Sequence, residues 1–396
     1  MMTSPALIVG GGPAGSSCAW ALRRAGMDVL VLDRARFPRH KVCAGWITPG
    51  IVAALDLDLR GYSRGRVLQP ITGLRTGLVG GREVETLYPH PVSYGILRRE
   101  LDHYLLRRSG ARVEENAAVT SLRREDGGFV VNDTRRTAVL VGAGGHFCPV
   151  ARWLGARPRG EPIVAAQEVE LPLDARQRER CRVRPETPEL YFSEDMKGYG
   201  WCVLKGDHLN VGFGRLVAAD FTRHVRGFSE FLNERGRTGI DLPTRWDGHA
   251  YLLYDAARPR LIDDGVLLVG DAAGLAYAGS GEGIRPAVES GLLAAATVLA
   301  ADGRYDRARL EPYRRALRRR FGRGSWLSAV PLPSAVVKTA GRVVLSSGWL
   351  TRHVVLDRFF LHGNEEPLEP PRPAPSARRF RDSAGETVNG PFSPLG

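Results

Sequence analysis

Apolar positions near the start of the chain fall in two short unbroken runs, Ala6–Val9 and Val29–Leu32, with a small-residue segment from Ser16 to Gly26 between them. Unbroken runs of this length predict buried strands and the segment between them predicts a helix, so the chain opens as β-α-β. Further along, a helical stretch over Leu97–Ser109 leads into strand-like runs at Ala111–Val113, Ala118–Leu122 and Ala138–Val141. From Ile163 to Gly214 apolar and polar residues alternate, as in Glu189-Leu-Tyr-Phe and Gly200-Trp-Cys-Val-Leu, which predicts an antiparallel sheet. A helix is predicted over Asp220–Glu234. Another unbroken run, Val266–Val269, then precedes a small-residue helix ending near Ala301.

The pattern predicts an α/β fold: a discontinuous Rossmann-like domain (1–60, 94–160 and 255–305) with an inserted antiparallel-sheet domain (61–93 and 161–254). Residues 61–93 show only short β-like runs. C-terminal helices are expected over 306–362. The remainder, 363–396, is rich in Pro, Arg, Glu and Ser and is expected to be disordered.

The junctions between these elements carry the chemistry. Gly10, Gly12 and Gly15 form Gly-x-Gly-x-x-Gly between the first strand and the first helix, with Pro13 and Ala14 inside the motif. Gly10 suits the tight turn, Gly12 lets backbone approach a pyrophosphate, and Gly15 lets helix pack on strand. The helix N-terminus offers free N–H groups to the phosphates. Asp33 closes the second strand, where a carboxylate accepts from a ribose 2′-OH and disfavours a 2′-phosphate, so FAD or NAD is expected rather than NADP. Far downstream, Gly270-Asp271 follows a buried run and leads through Ser280-Gly281-Glu282-Gly283-Ile284 into a helix. NAD needs no such element. In FAD the Asp271 carboxylate would hold ribitol hydroxyls, and the following helix N-terminus would face the flavin pyrimidine, where reduced flavin carries negative charge.

With both motifs in place, the chain resembles flavoproteins of the para-hydroxybenzoate hydroxylase fold, and within it the geranylgeranyl reductase family. Four further segments carry the resemblance over roughly residues 5–300: Arg39-His-Lys41-Val-Cys43-Ala44-Gly45-Trp46, Arg98-Arg-Glu-Leu-Asp102, Tyr199-Gly-Trp201-Cys-Val-Leu-Lys205-Gly, and Ser280-Gly-Glu-Gly-Ile284. They are similar to that family's Lys-x-Cys-Gly-Gly loop, Arg-x-x-Phe-Asp helix start, Tyr-x-Trp-x-Phe-Pro-Lys-Gly strand and Thr-Gly-Glu-Gly-Ile turn. The resemblance implies non-covalent FAD, held also by Arg34, Lys41, Ala44, Gly45, Arg98 and Val119, and a substrate wall of Tyr199 and Trp201. It implies reduction of C=C bonds in a prenyl substrate. Ala44 replaces a glycine, Val203-Leu204 replaces Phe-Pro, and Gly144 stands where such flavoproteins carry an Asp used in nicotinamide handling. The donor is therefore either NAD(P)H visiting transiently or a reduced electron carrier.

Composition narrows the class. A chain of 396 residues with 43% hydrophobic content can bury a substantial core. Five scattered cysteines without metal spacing fit a reducing cytoplasm. No apolar run reaches the ~18 residues of a membrane span, and with the first strand following Met1–Pro5 at once no secretory signal is expected. The net charge of +13 is mostly arginine, without a nucleic-acid motif, so nucleic acid is not an expected partner. Its densest cluster, from Arg314 to Arg323 at helical spacing, reads either as a solvated helix face or as a platform for anionic headgroups at the inner face of the membrane or for a prenyl pyrophosphate.

Three residue readings stay open. Cys43, just after His40-Lys41, is either a functional thiol, its pKa lowered or its position that of a proton donor, or a small buried residue lining the flavin pocket. Tyr199 and Trp201 share a strand face and either wall a tunnel or fill a core. Glu282 either orients its turn or serves as the catalytic acid. His146 and His208 read as structural. Besides the prenyl reductase, an FAD monooxygenase of an aromatic or other small molecule and a non-catalytic flavin redox protein remain alternatives.

Overall fold

The computed structural model describes residues 2–156, 163–216, 220–254, 260–277, 279–322 and 333–369. The first apolar run forms β1 (Met2–Val9), parallel to β2 (Val29–Leu32) on one side and to β11 (Arg135–Gly142) on the other. Beyond β2 lies β8 (Arg112–Glu114); beyond β11 lie β18 (Val266–Leu268) and β17 (Ile262–Asp263). A hairpin of β9 (Leu122–Glu125) and β10 (Gly128–Val131) pairs with β11. Every residue of β2 and β18 is buried, as unbroken apolar runs require.

Two helices on this sheet decide where ligands can bind. The first, α1 (Pro13–Arg24), begins three residues earlier than the apolar pattern predicts, because Pro13 fits the first helical position. Gly10 has φ +112°, and a Cβ on Gly15 would stand 1.9 Å from the Gly10 carbonyl oxygen. The second, α8 (Ile284–Ala300), packs along α1. The apolar side of α9 (Leu310, Tyr313, Leu317, Phe321; helix Arg307–Phe321) is buried behind α8. In the arginine cluster of α9, Arg320 turns inward to Glu289 at 2.6 Å and Arg314 pairs with Glu311 at 2.7 Å. Arg315, Arg318 and Arg319 are exposed, and Arg323 lies outside the described residues.

A second sheet forms the floor of the cavity described below. Its strands are β5 (Gly73–Leu78), β6 (Glu83–Leu87), β12 (Ile163–Pro172), β13 (Glu189–Phe192), β14 (Gly198–Lys205), β15 (His208–Leu216) and β16 (Asp247–Leu252), in the order β16-β12-β15-β14-β13-β5-β6. All neighbours are antiparallel except β13 and β5. The weakly periodic segment 61–93 thus contributes two strands here. A small third sheet takes β3 (Trp46–Ile47), β4 (Gln69–Ile71) and β7 (Ser93–Gly95). One face of the second sheet packs Tyr191, Val211 and Phe213 under α7 (Phe221–Glu234). Its other face carries Trp201 and Val203 with the unexpectedly polar Glu168, Glu170, Lys205 and Asn210, all on alternate positions. The remaining helices are short or peripheral: α2 (Pro49–Ala54), α3 (Leu59–Tyr62), α5 (Pro149–Trp153), α6 (Ala175–Arg180), α10 (Ser334–Ser346) and α11 (Gly348–Leu350). Helix α4 (Arg98–Arg108) packs on α1, and a π-helical segment, Thr351–Phe360, follows α11.

Two sequence expectations are corrected. The strand expected over Ala118–Leu122 is irregular until Leu122, because Asn132 satisfies that backbone itself: its Oδ1 accepts from Thr120 N at 2.9 Å, and its Nδ2 donates to Ala118 O at 2.7 Å. The C-terminal segment, expected to be disordered from 363, is held through 369. Glu365 approaches Arg285 Nη2 at 3.4 Å, and Leu368 packs on the main core. Charge pairing with Arg285, together with the Leu368 contact, fixes this stretch, which composition does not reveal; residues 370–396 lie outside those described.

Candidate functional site

The two helices α1 and α8 both begin without a side-chain cap, at Gly12 and Gly283. The first N–H groups of a helix need partners. Both N-termini open into one cavity of about 820 Å³, in the upper part of the range for ligand sites, about 300–1,000 Å³. Gly291 allows this arrangement, since a Cβ there would stand 2.3 Å from the Ala14 carbonyl oxygen. Two uncapped N-termini set side by side fit an anionic, elongated dinucleotide.

Most of the fingerprint residues meet here. Gly10, Gly12, Pro13 and Ala14 line the cavity, while Gly15 and Gly270 stand behind its wall and act by close packing. Asp33 is buried at the cavity edge, its two oxygens accepting from Gly11 N (2.7 Å) and Ala35 N (2.8 Å). These bonds aim the carboxylate and leave lone pairs for a ribose hydroxyl. Val119, on the irregular stretch, and Arg34, exposed at the rim, line the same end.

At the middle of the cavity Asp271 faces Lys41 through His249. Lys41 Nζ stands 2.9 Å from His249 Nε2, which lies 3.5 Å from Asp271 Oδ2. Burial pushes the Lys41 amine down to about 8, against the pull of Asp271. Burial raises the Asp271 carboxyl, but His249 and Lys41 outweigh it and hold it below its ordinary value. Arg98 grips Asp102 with Nε at 2.9 Å and Nη2 at 3.0 Å, and Arg39 adds a contact at 3.2 Å. Desolvation lowers the Arg98 guanidinium, yet Asp102 and the Cys43 thiol leave it raised. The cation against Cys43 is therefore Arg98, whereas His40 turns to Asp247 at 3.8 Å.

The Cys43–Gly45 loop is held from below by the polar face of the second sheet. Lys205, fully buried, donates to Ala44 O at 3.0 Å and pairs with Glu170 at 2.7 Å. Asn210 donates to Cys43 O at 3.3 Å and accepts from Trp201 Nε1 at 2.7 Å. Glu168 takes the Cys43 amide, and burial pushes its carboxyl up to about 7. Gly45 has φ +72°, and a Cβ there would lie 2.4 Å from Ile96 O.

Tyr199 and Trp201 line the cavity with Ala44, Trp46, Tyr251 and Phe360. Tyr199 and Phe360 meet edge-on at 5.3 Å, and the Tyr199 hydroxyl donates to Ser280 O at 2.5 Å. Trp201 lies over Gly212, where a Cβ would be 2.1 Å from its ring. Both rings therefore belong to an apolar cluster and to the cavity wall at once. Gly281, Glu282, Gly283 and Ile284 complete the wall. Burial pushes the Glu282 carboxyl up to about 7, although His362 and Arg285 pull it down. Gly144, also on the wall, sits where a Cβ would be 3.1 Å from Cys148 Cα.

Sequence reasoning passed over His249, Tyr251, Glu168, Asn210, Phe360 and His362. His249 and Tyr251 alternate on β16, a period-two signal that could have found them. The others depend on which sheet face is covered and on a C-terminal segment whose position the sequence does not encode locally. No metal-binding cluster and no helix long and apolar enough to cross a membrane occur among the described residues.

Comparison with known proteins agrees with this geometry. The model of the NAD(P)-binding Rossmann-like domain family matches residues 8–41. A menaquinone reductase of Mycobacterium tuberculosis is 32% identical over 347 residues, covering 80% of each chain. A chloroplastic geranylgeranyl diphosphate reductase of rice (Oryza sativa subsp. japonica) is 30% identical over 318 residues, covering 74% of this chain and 66% of the rice protein. The structure of a geranylgeranyl bacteriochlorophyll reductase-like protein from Thermoplasma acidophilum superposes with a TM-score of 0.75 at 22% identity, covering 93% of this chain and 97% of that one.

Proposed function

The chain belongs to the geranylgeranyl reductase family of FAD-dependent oxidoreductases, and from that premise we propose that it reduces C=C bonds of an isoprenoid chain lying along the aromatic wall. The observation that carries this reading is the juxtaposition, in one cavity, of two uncapped helix N-termini and the apolar surface of Trp46, Tyr199, Trp201 and Phe360. The names of the mycobacterial and rice relatives, a menaquinone reductase and a geranylgeranyl diphosphate reductase, support a prenyl-bearing substrate.

In this reading Asp33 holds the ribose, the Gly10–Gly15 turn and α1 the pyrophosphate, and Asp271 the ribitol, with Arg34, Lys41, Ala44, Gly45, Arg98 and Val119 as further contacts. The start of α8 at Gly283-Ile284 stabilises negative charge on the reduced ring. Reduced FAD supplies the hydride. The residues of this chain orient the isoprenoid along Tyr199 and Trp201, keep water out, and supply a proton to the second carbon from Glu282. Cys43, fixed from above by Arg98 and from below by Asn210, shapes the wall beside the reacting carbons. The donor that reduces the cofactor is NAD(P)H or a carrier protein, in transient contact. On α9, Arg315, Arg318 and Arg319 offer a face to an anionic membrane from which such a substrate would come.

The test uses anaerobically reduced holoprotein and isoprenoids of increasing length. Products should gain two hydrogens per bond, and affinity should climb with chain length at roughly 0.8 kcal/mol per buried CH₂ until the wall ends. Incorporation of oxygen in air, or flat affinity across the series, overturns the reading.

A further inference from the structure

Glu282 stands out among the groups lining the cavity because neither carboxylate oxygen has a side-chain hydrogen-bond partner, the Arg285 backbone N–H alone favouring its charge from the main chain, although the side chain is only 8% exposed. Its neighbour is a residue of the C-terminal segment. His362 Nε2, also buried and unpartnered, lies 3.5 Å from Glu282 Oε2. The imidazole is stacked on Tyr277 with ring centres 3.9 Å apart, and its Nδ1 lies 3.4 Å from Glu365 Oε1. Glu365 accepts from Tyr277 OH at 3.1 Å and is a third exposed, so the row ends at solvent. The backbone of the segment is pinned as well: Arg285 donates to His362 O (3.3 Å) and Glu365 O (3.2 Å) while pairing with Glu289 at 2.9 Å. Unpartnered buried polar atoms are rare in folded proteins and call for a reason. Here three of them face one another at the boundary between cavity and solvent.

We propose that Glu282, His362 and Glu365 form a proton relay from solvent into the cavity, with His362 as the positioning residue that returns the proton Glu282 delivers. The proposal rests on the reductase reading. In the reduction, one carbon of the double bond takes the hydride with its electron pair and the other takes the proton as the Glu282 O–H bond breaks. The Glu282 carboxylate then takes the proton from His362 Nε2, and His362 regains one from water at the Glu365 end. One proton is consumed per bond reduced, and both electrons come with the hydride. The charged and titratable groups facing Glu282 are His362, Arg285 and Glu289, with the hydroxyls of Tyr199 and Tyr277. Of these, His362 and Arg285 favour the carboxylate and Glu289 opposes it. The resulting position near neutrality suits a group that must both give and regain a proton.

The experiment compares wild-type holoprotein with Glu282→Gln, His362→Gln and Glu365→Gln. Infrared difference titration without substrate follows the Glu282 C=O stretch, which is absent in Glu282→Gln. His362→Gln should move its midpoint upward by roughly one pH unit, the low end for loss of a nearby opposite charge. FAD content and the rate of flavin reduction by dithionite should be unchanged in His362→Gln and Glu365→Gln. In single turnover with an isoprenoid, Glu282→Gln should lose on the order of 10²-fold in rate, the lower end for a general acid. His362→Gln should hold its single-turnover rate to higher pH than wild type, because Glu282 keeps its proton longer, and should be slow in repeated turnover, mainly at high pH, where Glu282 must be reprotonated. An unmoved midpoint together with an unchanged pH profile overturns the relay. Wild-type protein that reduces no isoprenoid overturns the reductase reading instead, and the titration then decides the coupling alone. Should His362→Gln fail to fold, Glu365→Gln carries the same comparison from the solvent end, with a steeper loss of rate at high pH expected in repeated turnover and an unchanged profile there decisive against the relay.

Discussion

Gly291 on α8 lies so close to Ala14 on α1 that a methyl group in place of its hydrogen would stand 2.3 Å from the Ala14 carbonyl oxygen. That approach is what sets the starts of the two helices side by side over the cavity. Gly291→Val should force them apart. Overpacking costs about 1–3 kcal/mol, and the helix propensity gained over glycine, below ~1 kcal/mol, does not offset it. The variant should show a lower Tm and a reduced FAD-to-protein ratio. Wild-type values of both would mean that the helix pair repacks freely and does not position the site.

Asp271, proposed above to meet the ribitol, also acts on Lys41. It is the carboxylate that opposes the fall of the Lys41 amine, which burial has brought to about 8. Asp271→Ala should weaken FAD retention by about 1–3 kcal/mol for a lost buried hydrogen-bonding group. It should also let Lys41 lose its proton at lower pH, so that FAD retention begins to decline at a lower pH than in the wild type. Fluorescence titration of FAD at several pH values reads both effects. Equal affinity at all pH values would remove Asp271 from the cofactor site.

How far the sequence carried differs by element, for physical reasons. Gly10, Gly12, Gly15 and Asp33 are legible because a positive φ, a close approach and a strand-end acid each leave a residue-type signature at fixed spacing. The α8 start is legible for the same reason. Glu168, Lys205 and Asn210 are not, since alternation on a strand reads them as solvent-facing; only in the fold does that face lie against the backbone of Cys43 and Ala44. The C-terminal segment misled because Glu365 is held by Arg285, a partner 80 residues away, and composition weighs charge only as solubility.

Glu168 and Glu282 make stability depend on pH in an unusual direction. Burial is the largest cause in both, lifting each carboxyl from 4.5 to about 7. Between those values the native protein keeps protons that the unfolded chain has released, so the stabilisation is complete below pH 4.5 and is lost as pH rises through 7. Replacing either residue with Gln removes its share, on the order of 1–3 kcal/mol. Each variant should therefore gain stability relative to wild type on going from pH 4.5 to 7.5, read as the difference in Tm at the two pH values. A constant Tm difference would mean that the carboxyl titrates alike in both states.

Lys205 separates the stability of the sheet from the order of the Cys43 loop. Its ammonium meets Glu170 at 2.7 Å and Ala44 O at 3.0 Å, with no exposure to solvent. Lys205→Met leaves the Glu170 carboxylate buried without its cation, a loss of about 3–5 kcal/mol when one partner of a buried pair is removed. Changing both residues, Lys205→Met with Glu170→Leu, removes the uncompensated charge and should recover most of the Tm. The tie to Ala44 O stays broken in both. Cys43 is the one partly exposed cysteine of the five, the other four being buried, so thiol alkylation in the native protein reports on its loop. Alkylation should be faster than wild type in the single and the double variant alike, although only the single variant is strongly destabilised. If the double variant regains both Tm and wild-type alkylation, the loop is ordered by the general stability of the sheet, and the bond from Lys205 to Ala44 has no separate role.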